Sequence, residues 1–136
     1  WTPLEMQREN IAPQLITGRF GYNAAVRISA PSEFLFVSGH EGRGSVDTRG
    51  GVGDFRAQVA TTFVNIDRTL EVAGFSFRDV VQIRIFVRDI AAATSNYDVV
   101  LDALETYQCS PASLMAETTG LSDPAMLVEI EAVAVR

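Results

Sequence analysis

At 136 residues with 47% hydrophobic side chains, the chain is long enough to bury a core without disulfides or metal staples. A net charge of −6, a pI near 4.7 and no clustered cations oppose nucleic-acid binding, which depends on neutralising phosphates. No apolar run approaches the length of about 20 residues that a membrane helix needs, so the mean hydropathy of +0.13 is assigned either to a rich core or to a subunit interface.

Residues 1–12 read as an irregular arm that ends before Pro13. Two short strands follow, over Leu15–Gly18 and Ala24–Ala30, separated by a Gly-Arg-Phe-Gly-Tyr turn. Pro31-Ser32-Glu33 makes the next turn, and Phe34–Ser38 the next strand. Six of the ten glycines crowd between Gly39 and Gly53, the composition of a mobile loop on a rigid scaffold. No Lys-Ser/Thr pair follows them, so they are not a phosphate loop. From Phe55 the period changes to three and four, with Val59, Phe63, Ile66, Leu70 and Ala73 on one helical face. Asp54 or Gly53 caps its start and Gly74 stops it.

Val81, Ile83, Ile85 and Val87 then alternate with polar or aromatic neighbours, as in a strand. A second helix presents Tyr97, Val100, Leu101 and Leu104 on one face, and Pro111 separates it from a strand over Ala112–Thr118. A turn at Gly120–Pro124 leads into the last strand. There Val128, Ile130, Ala132 and Ala134 share one face, while Glu129 and Glu131 share the other. Two amphipathic helices need a sheet to bury against, so the predicted class is an α+β two-layer sandwich in a single domain spanning 1–136.

The chemistry available is narrow. All 11 basic residues are arginine, which excludes a lysine Schiff base. One cysteine and one histidine exclude an internal disulfide and the usual tetrahedral zinc site, and no metal or cofactor is expected. Cys109 has no signature partner and defaults to an inert thiol. The polar N-terminal stretch lacks a signal-peptide core, so a cytoplasmic location is expected. The paired carboxylates Glu129 and Glu131 are the first candidates for chemistry. A carboxylate on an apolar strand is costly unless it is solvated, hydrogen-bonded or paired.

Four segments, in order, resemble the RidA/YjgF family of small enamine/imine deaminases. Tyr22-Asn23-Ala24-Ala25-Val26 is similar to its Tyr-Ser-Gln-Ala-Val, and FLFVSGHEG at Phe34–Gly42 to its LLFVSGQIP. AGFSFRDVVQIRIFVRDI resembles its AGaslDDVVKttVFltDm, and EIEAVAVR closes the match. The resemblance implies a mixed sheet of about six strands with two helices on one face, assembled as a homotrimer with clefts between subunits. It implies that Glu129 positions an attacking water; the bland alternative is a solvated carboxylate at a strand edge. His40 stands where the family has glutamine, and is either a proton shuttle with Glu129 or a structural histidine. Tyr22, Ser38, Gly39 and Asn96 match positions that line the family's pocket, with an interface aromatic, an ordinary strand end and a helix cap as the alternatives.

One match fails. Where the family carries Pro-Ala-Arg-Ser, with the arginine gripping a substrate carboxylate, this chain reads Pro111-Ala112-Ser113-Leu114, and Met115 replaces a cysteine. Arg43 is a candidate replacement cation, or else an exposed loop arginine. The expected function is a hydrolase or deaminase-like enzyme acting on a small imine, enamine or related activated metabolite, outside the usual 2-iminoacids. The alternative is a non-catalytic trimer that binds a small metabolite. In either case the expected partners are a small-molecule ligand and copies of the same chain, with no nucleic acid and no membrane.

Overall fold

The computed structural model describes residues 2, 4–11, 21–44 and 53–136. In chain order these form β1 (Gln7–Ile11), β2 (Ala25–Ser29), β3 (Phe34–Glu41), α1 (Phe55–Val72), β4 (Val80–Val87), α2 (Ile90–Ser95), α3 (Asp98–Thr106), β5 (Ala112–Glu117) and β6 (Val128–Val135). The mixed α+β class is as the sequence indicates. The six strands divide into two sheets, where one was expected. β3-β6-β4-β5 form a four-stranded sheet, parallel between β4 and β5 and antiparallel elsewhere, while β1 and β2 pair antiparallel beside it.

The arm read as irregular therefore contains a strand. Arg8 fastens it: its guanidinium donates to the carbonyls of Arg78 and Ser110, both at 2.7 Å. Asn23 joins the small sheet to the β5 edge through its backbone N–H on the Pro111 carbonyl at 2.8 Å and its side-chain amide on the Ser110 carbonyl. The expected strand over Leu15–Gly18 and the part of the glycine-rich loop over residues 45–52 lie outside the described residues.

Helix α1 forms where the period demands it. Asp54 caps it by accepting from the Ala57 N–H, and Phe55, Val59, Phe63, Ile66 and Leu70 are buried on one face. Ala73, expected on that face, is the exposed C-cap, and Gly74 ends the helix at φ +78°, a conformation that favours glycine. Gln58 sits fully buried among these apolar side chains. It accepts from the Leu127 N–H at 2.7 Å and donates to the Ala125 carbonyl at 3.1 Å, so the helix holds the segment that leads into β6.

The second helix is interrupted. Asp89 caps α2, and its run ends where the Asn96 side chain donates back to the Ala92 carbonyl at 2.9 Å. Side chains that hydrogen-bond the local backbone in this way compete with helix continuation. Chain direction resets at Asn96 and Tyr97, and α3 then buries Val100 and Leu104.

In the four-stranded sheet, Val128, Ile130, Ala132 and Ala134 face the helices as expected, together with Ile83, Ile85 and Val87. A register shift between Val80 and Gln82 carries Val80 into the core and leaves Val81 half-buried. Phe63 and Phe77 stack in the core and half-buried Tyr107 packs against both, its ring tilted to that of Phe77 with centroids 4.8 Å apart. The opposite face of the sheet leaves Phe36 76% and Leu114 52% exposed. Among the described residues no helix is long and apolar enough to cross a membrane.

Candidate functional site

The end of β3 carries a bulge. Val37 lies opposite Ala132 and His40 opposite Ile130, so Ser38 and Gly39 together face the single residue Glu131. The extra residue reverses the alternation beyond it. His40 consequently turns to the helix side, in register with buried Ile130, and Glu41 lies opposite Glu129.

His40 is fully engaged there. Its Nδ1 lies 2.7 Å from the Ser38 carbonyl and its Nε2 2.7 Å from the Thr69 hydroxyl of α1. A carbonyl only accepts, so Nδ1 carries the proton in this bond, while Nε2 pairs with the Thr69 hydroxyl, which can either donate or accept. The ring borders an open hollow of about 470 Å³ on the α1 side, beside Asn65 and Thr69.

Glu129 lies on the other face. Its carboxylate rests against Gly39 so closely that a Cβ on that glycine would fall 2.5 Å from Oε1 and 2.9 Å from Cδ. No hydrogen bond or ion pair to another described residue engages this carboxylate. Burial is the largest cause holding its pKa above the ordinary glutamate value; Glu41 and then Glu131 push the same way, and His40 opposes them. Its neighbours on this face are paired. Glu131 meets Arg84, its cross-strand partner, at 2.5 Å. Glu41, its side chain only 9% exposed, accepts from Arg43 Nε at 2.8 Å and from the Ser122 hydroxyl at 2.9 Å. Arg43 continues to Asp123 at 2.9 Å, so this guanidinium links two carboxylates. The structure thus commits Arg43 to two acids of its own chain, which weakens its candidacy as a replacement cation.

A second cluster forms at the opposite edge of the sheet. Tyr22, Thr94, Tyr97, Ser113 and Met115 line a cleft of about 540 Å³ between β5 and the junction of α2 with α3. Gly21, at φ +74°, passes so close to α3 that a Cβ would meet Leu101 Cδ2 at 2.8 Å, and this approach sets Tyr22 into the cleft wall. Tyr97 is pushed up to about 12, chiefly by burial, with Tyr22 adding to the effect. Asn96 is absent from this lining. It serves as the C-cap of α2 and receives a long 3.5 Å contact from Arg56.

Two strands, β6 and β4, separate β3 from β5, so the Gly39 and Ser113 edges stand roughly 14 Å apart across three strand spacings. Within one chain the expected residues therefore divide. Ser38, Gly39 and Glu129 gather at the β3–β6 end, and Tyr22, Ser113 and Met115 at the β5 edge.

The model of the family described as Endoribonuclease L-PSP matches residues 14–136. A RutC family protein of Aquifex aeolicus is 32% identical over 117 residues, covering 85% of this chain and 88% of that protein. The chain belongs to the RidA/YjgF family. Among solved structures, a Rid protein of unknown function from Yersinia pestis superposes with a TM-score of 0.81 at 25% identity, over 95% of this chain and 98% of that one. A member of the YjgF/YER057c/UK114 family from Mycobacterium tuberculosis gives 0.63 at 30% identity, over 96% and 100%.

Set in this RidA/YjgF frame, the geometry brings forward residues that sequence reasoning passed over. Glu41, which in the sequence is only the residue after His40, is the carboxylate aligned with Glu129. Tyr97 and Leu101 were assigned to a helix face, and both line the β5 cleft. Their spacing is that of ordinary core residues, and only the break after Asn96 hinted that this stretch is more than a packing face. Cys109 is buried and its thiol is pushed up to about 12 by burial, as an inert thiol requires. Among the described residues no three His, Cys, Asp or Glu side chains converge in a way that could hold a metal ion.

Proposed function

We propose that this RidA/YjgF member is a hydrolase of small imines or enamines, with Glu129 moving the proton and a site completed between subunits of a homotrimer. One observation carries the reading: a half-buried carboxylate with a raised pKa, engaged by no other described residue, lies across a glycine at a strand bulge. In hydrolysis of an imine, water adds to the C=N carbon, its proton passes to nitrogen, the carbonyl forms and ammonia leaves. A carboxylate that accepts the water proton and returns it to nitrogen performs both transfers. An enamine needs one earlier step, protonation at carbon, which gives the imine.

Two features support assembly. The half-sites occupy opposite edges of the sheet, so neighbouring subunits could complete a cleft that one chain leaves divided. The outer sheet face exposes Phe34, Phe36 and Leu114, apolar area of the kind that an interface covers. The net charge of −6 and the absence of lysine speak against RNA as the substrate.

The test is ammonia release from imines generated in situ by amino-acid oxidation, compared with the rate in buffer. Glu129→Gln should lower the enzymatic rate by about 10²–10⁴-fold, the range for a lost acid–base group. Light scattering should give three times the 14.8 kDa chain mass. Rates equal to buffer for both proteins would move the conclusion to the second reading, a trimer that binds a metabolite without turning it over. That reading draws on Ser113, a residue without charge where the family resemblance places a substrate-gripping arginine.

A further inference from the structure

The β5 cleft has a chemical character of its own. Its described wall is built from two phenols, two aliphatic hydroxyls, Met115 and leucine side chains, and among the described residues no charged side chain lines it. The Tyr97 phenol, pushed up to about 12 chiefly by burial, stays protonated near neutral pH. The volume of about 540 Å³ lies within the range for small-molecule sites and exceeds what a water cluster alone would need. The cleft is also held open by construction. Gly21 packs on Leu101 and Leu104 from one side, and Asn23 clamps the same segment to Ser110 and Pro111 on the other.

We propose that this cleft binds the uncharged, apolar body of a neutral ligand, and that the substrate of the hydrolysis is accordingly an imine without a carboxylate. The second half rests on the reading of the chain as an imine hydrolase; the first half does not. A carboxylate brought into this cleft would lose water and, among the described residues, find hydroxyl donors and no cation to offset the cost. An aromatic or aliphatic group loses no such partner. It would pack between the Tyr22 and Tyr97 rings and Met115, while Ser113 contributes a single neutral hydrogen bond to a carbonyl or imine nitrogen.

Benzamide and benzoate make a matched pair, nearly equal in shape and different in charge, and their binding can be read by calorimetry without turnover. The wild-type protein should bind benzamide at least tenfold more tightly than benzoate. Ser113→Arg should reverse that order, because a guanidinium offers two parallel donors to a carboxylate. Leu101→Trp, which fills the cleft, should abolish benzamide binding while the circular dichroism spectrum stays that of the wild type. Equal or tighter binding of benzoate by the wild type overturns the proposal. So does benzamide binding that survives Leu101→Trp, or no binding of benzamide at all. Ammonia assays on a carboxylate-bearing imine and its amide counterpart then separate the two claims. No release from either, with the benzamide preference intact, removes the hydrolase reading and leaves the neutral-ligand cleft standing. Faster release from the carboxylate-bearing imine keeps the hydrolase and removes the substrate assignment.

Discussion

Gly39→Ala isolates the contact on which the proposed chemistry depends. The added Cβ would stand 2.5 Å from Glu129 Oε1, 2.9 Å from Cδ and 3.1 Å from Cγ, whereas ordinary contact begins near 3.4 Å. The carboxylate must therefore retreat by roughly 1 Å, a misplacement that can cost about 10²-fold in rate when the displaced group acts in the transition state. Stability should respond differently. The obstructing atoms are the far end of a flexible side chain, and Gly39 has no positive φ that would strain an alanine. Removing a glycine also narrows the unfolded ensemble, worth about 0.4–1 kcal/mol in favour of the folded protein.

The expected result is a variant that unfolds at an equal or slightly higher urea concentration and yet releases ammonia about 100-fold more slowly. Urea unfolding and the ammonia assay on one preparation measure both. A variant as active as the wild type would refute the idea that Glu129 works from its place across Gly39. A variant that is inactive and several kcal/mol less stable would show that the glycine serves the fold instead.

Glu129 also ties stability to pH. A carboxyl whose pKa is raised on folding holds its proton longer in the folded chain, so stability falls as pH rises from the ordinary value of 4.5 through the raised one. Glu129→Gln should therefore be more stable than the wild type near neutrality and lose that advantage below about pH 4.5 in urea titrations; an advantage independent of pH would contradict the burial argument. Arg43→Gln leaves Glu41 without its cation directly across from Glu129, so the acid limb of the ammonia-release profile should move to higher pH. An unmoved limb would show that Glu41 does not influence Glu129. Gln58→Ala leaves the half-buried Leu127 N–H without its acceptor two residues before Glu129, and should cost about 1–3 kcal/mol in urea unfolding.

The elements that could be read in the sequence are those in which one local rule operates over many residues. Five apolar positions at helical spacing, with Asp54 before them and Gly74 after, define α1 with no reference to its surroundings. Strict alternation from Val128 to Ala134 likewise fixes which face of β6 is buried, and so places Glu129 and Glu131 together on the other. β1 was missed because Gln7–Ile11 is mostly polar; it becomes a strand by pairing with β2 and by the Arg8 hydrogen bonds, which depend on residues 70 and 102 positions away. The break between α2 and α3 depends on one side-chain amide turning back to a carbonyl, where the apolar spacing across it suggests continuity.

The fate of His40 shows how a single residue can redirect a functional inference. Strand parity counted from buried Val37 puts Ser38 outside, Gly39 inside and His40 outside, on the face of Glu129. The bulge at Ser38 and Gly39 inserts one residue into that count, so His40 turns inward to Thr69 and Glu41 takes its place opposite Glu129. No rule of composition or periodicity reveals such an insertion, because two residues facing one looks the same in sequence as two residues facing two. The bulge also brings Gly39 beneath the carboxylate, where a regular strand would have aimed it at the helices. One irregularity thus removes the histidine from the acid's face within the chain, supplies a second carboxylate in its stead, and clears the space that Glu129 occupies. The local proton chemistry then belongs to an acid surrounded by acids, two of which are already neutralised by Arg43 and Arg84. That arrangement leaves Glu129, under the proposed function, as the carboxylate available to exchange a proton with a bound substrate.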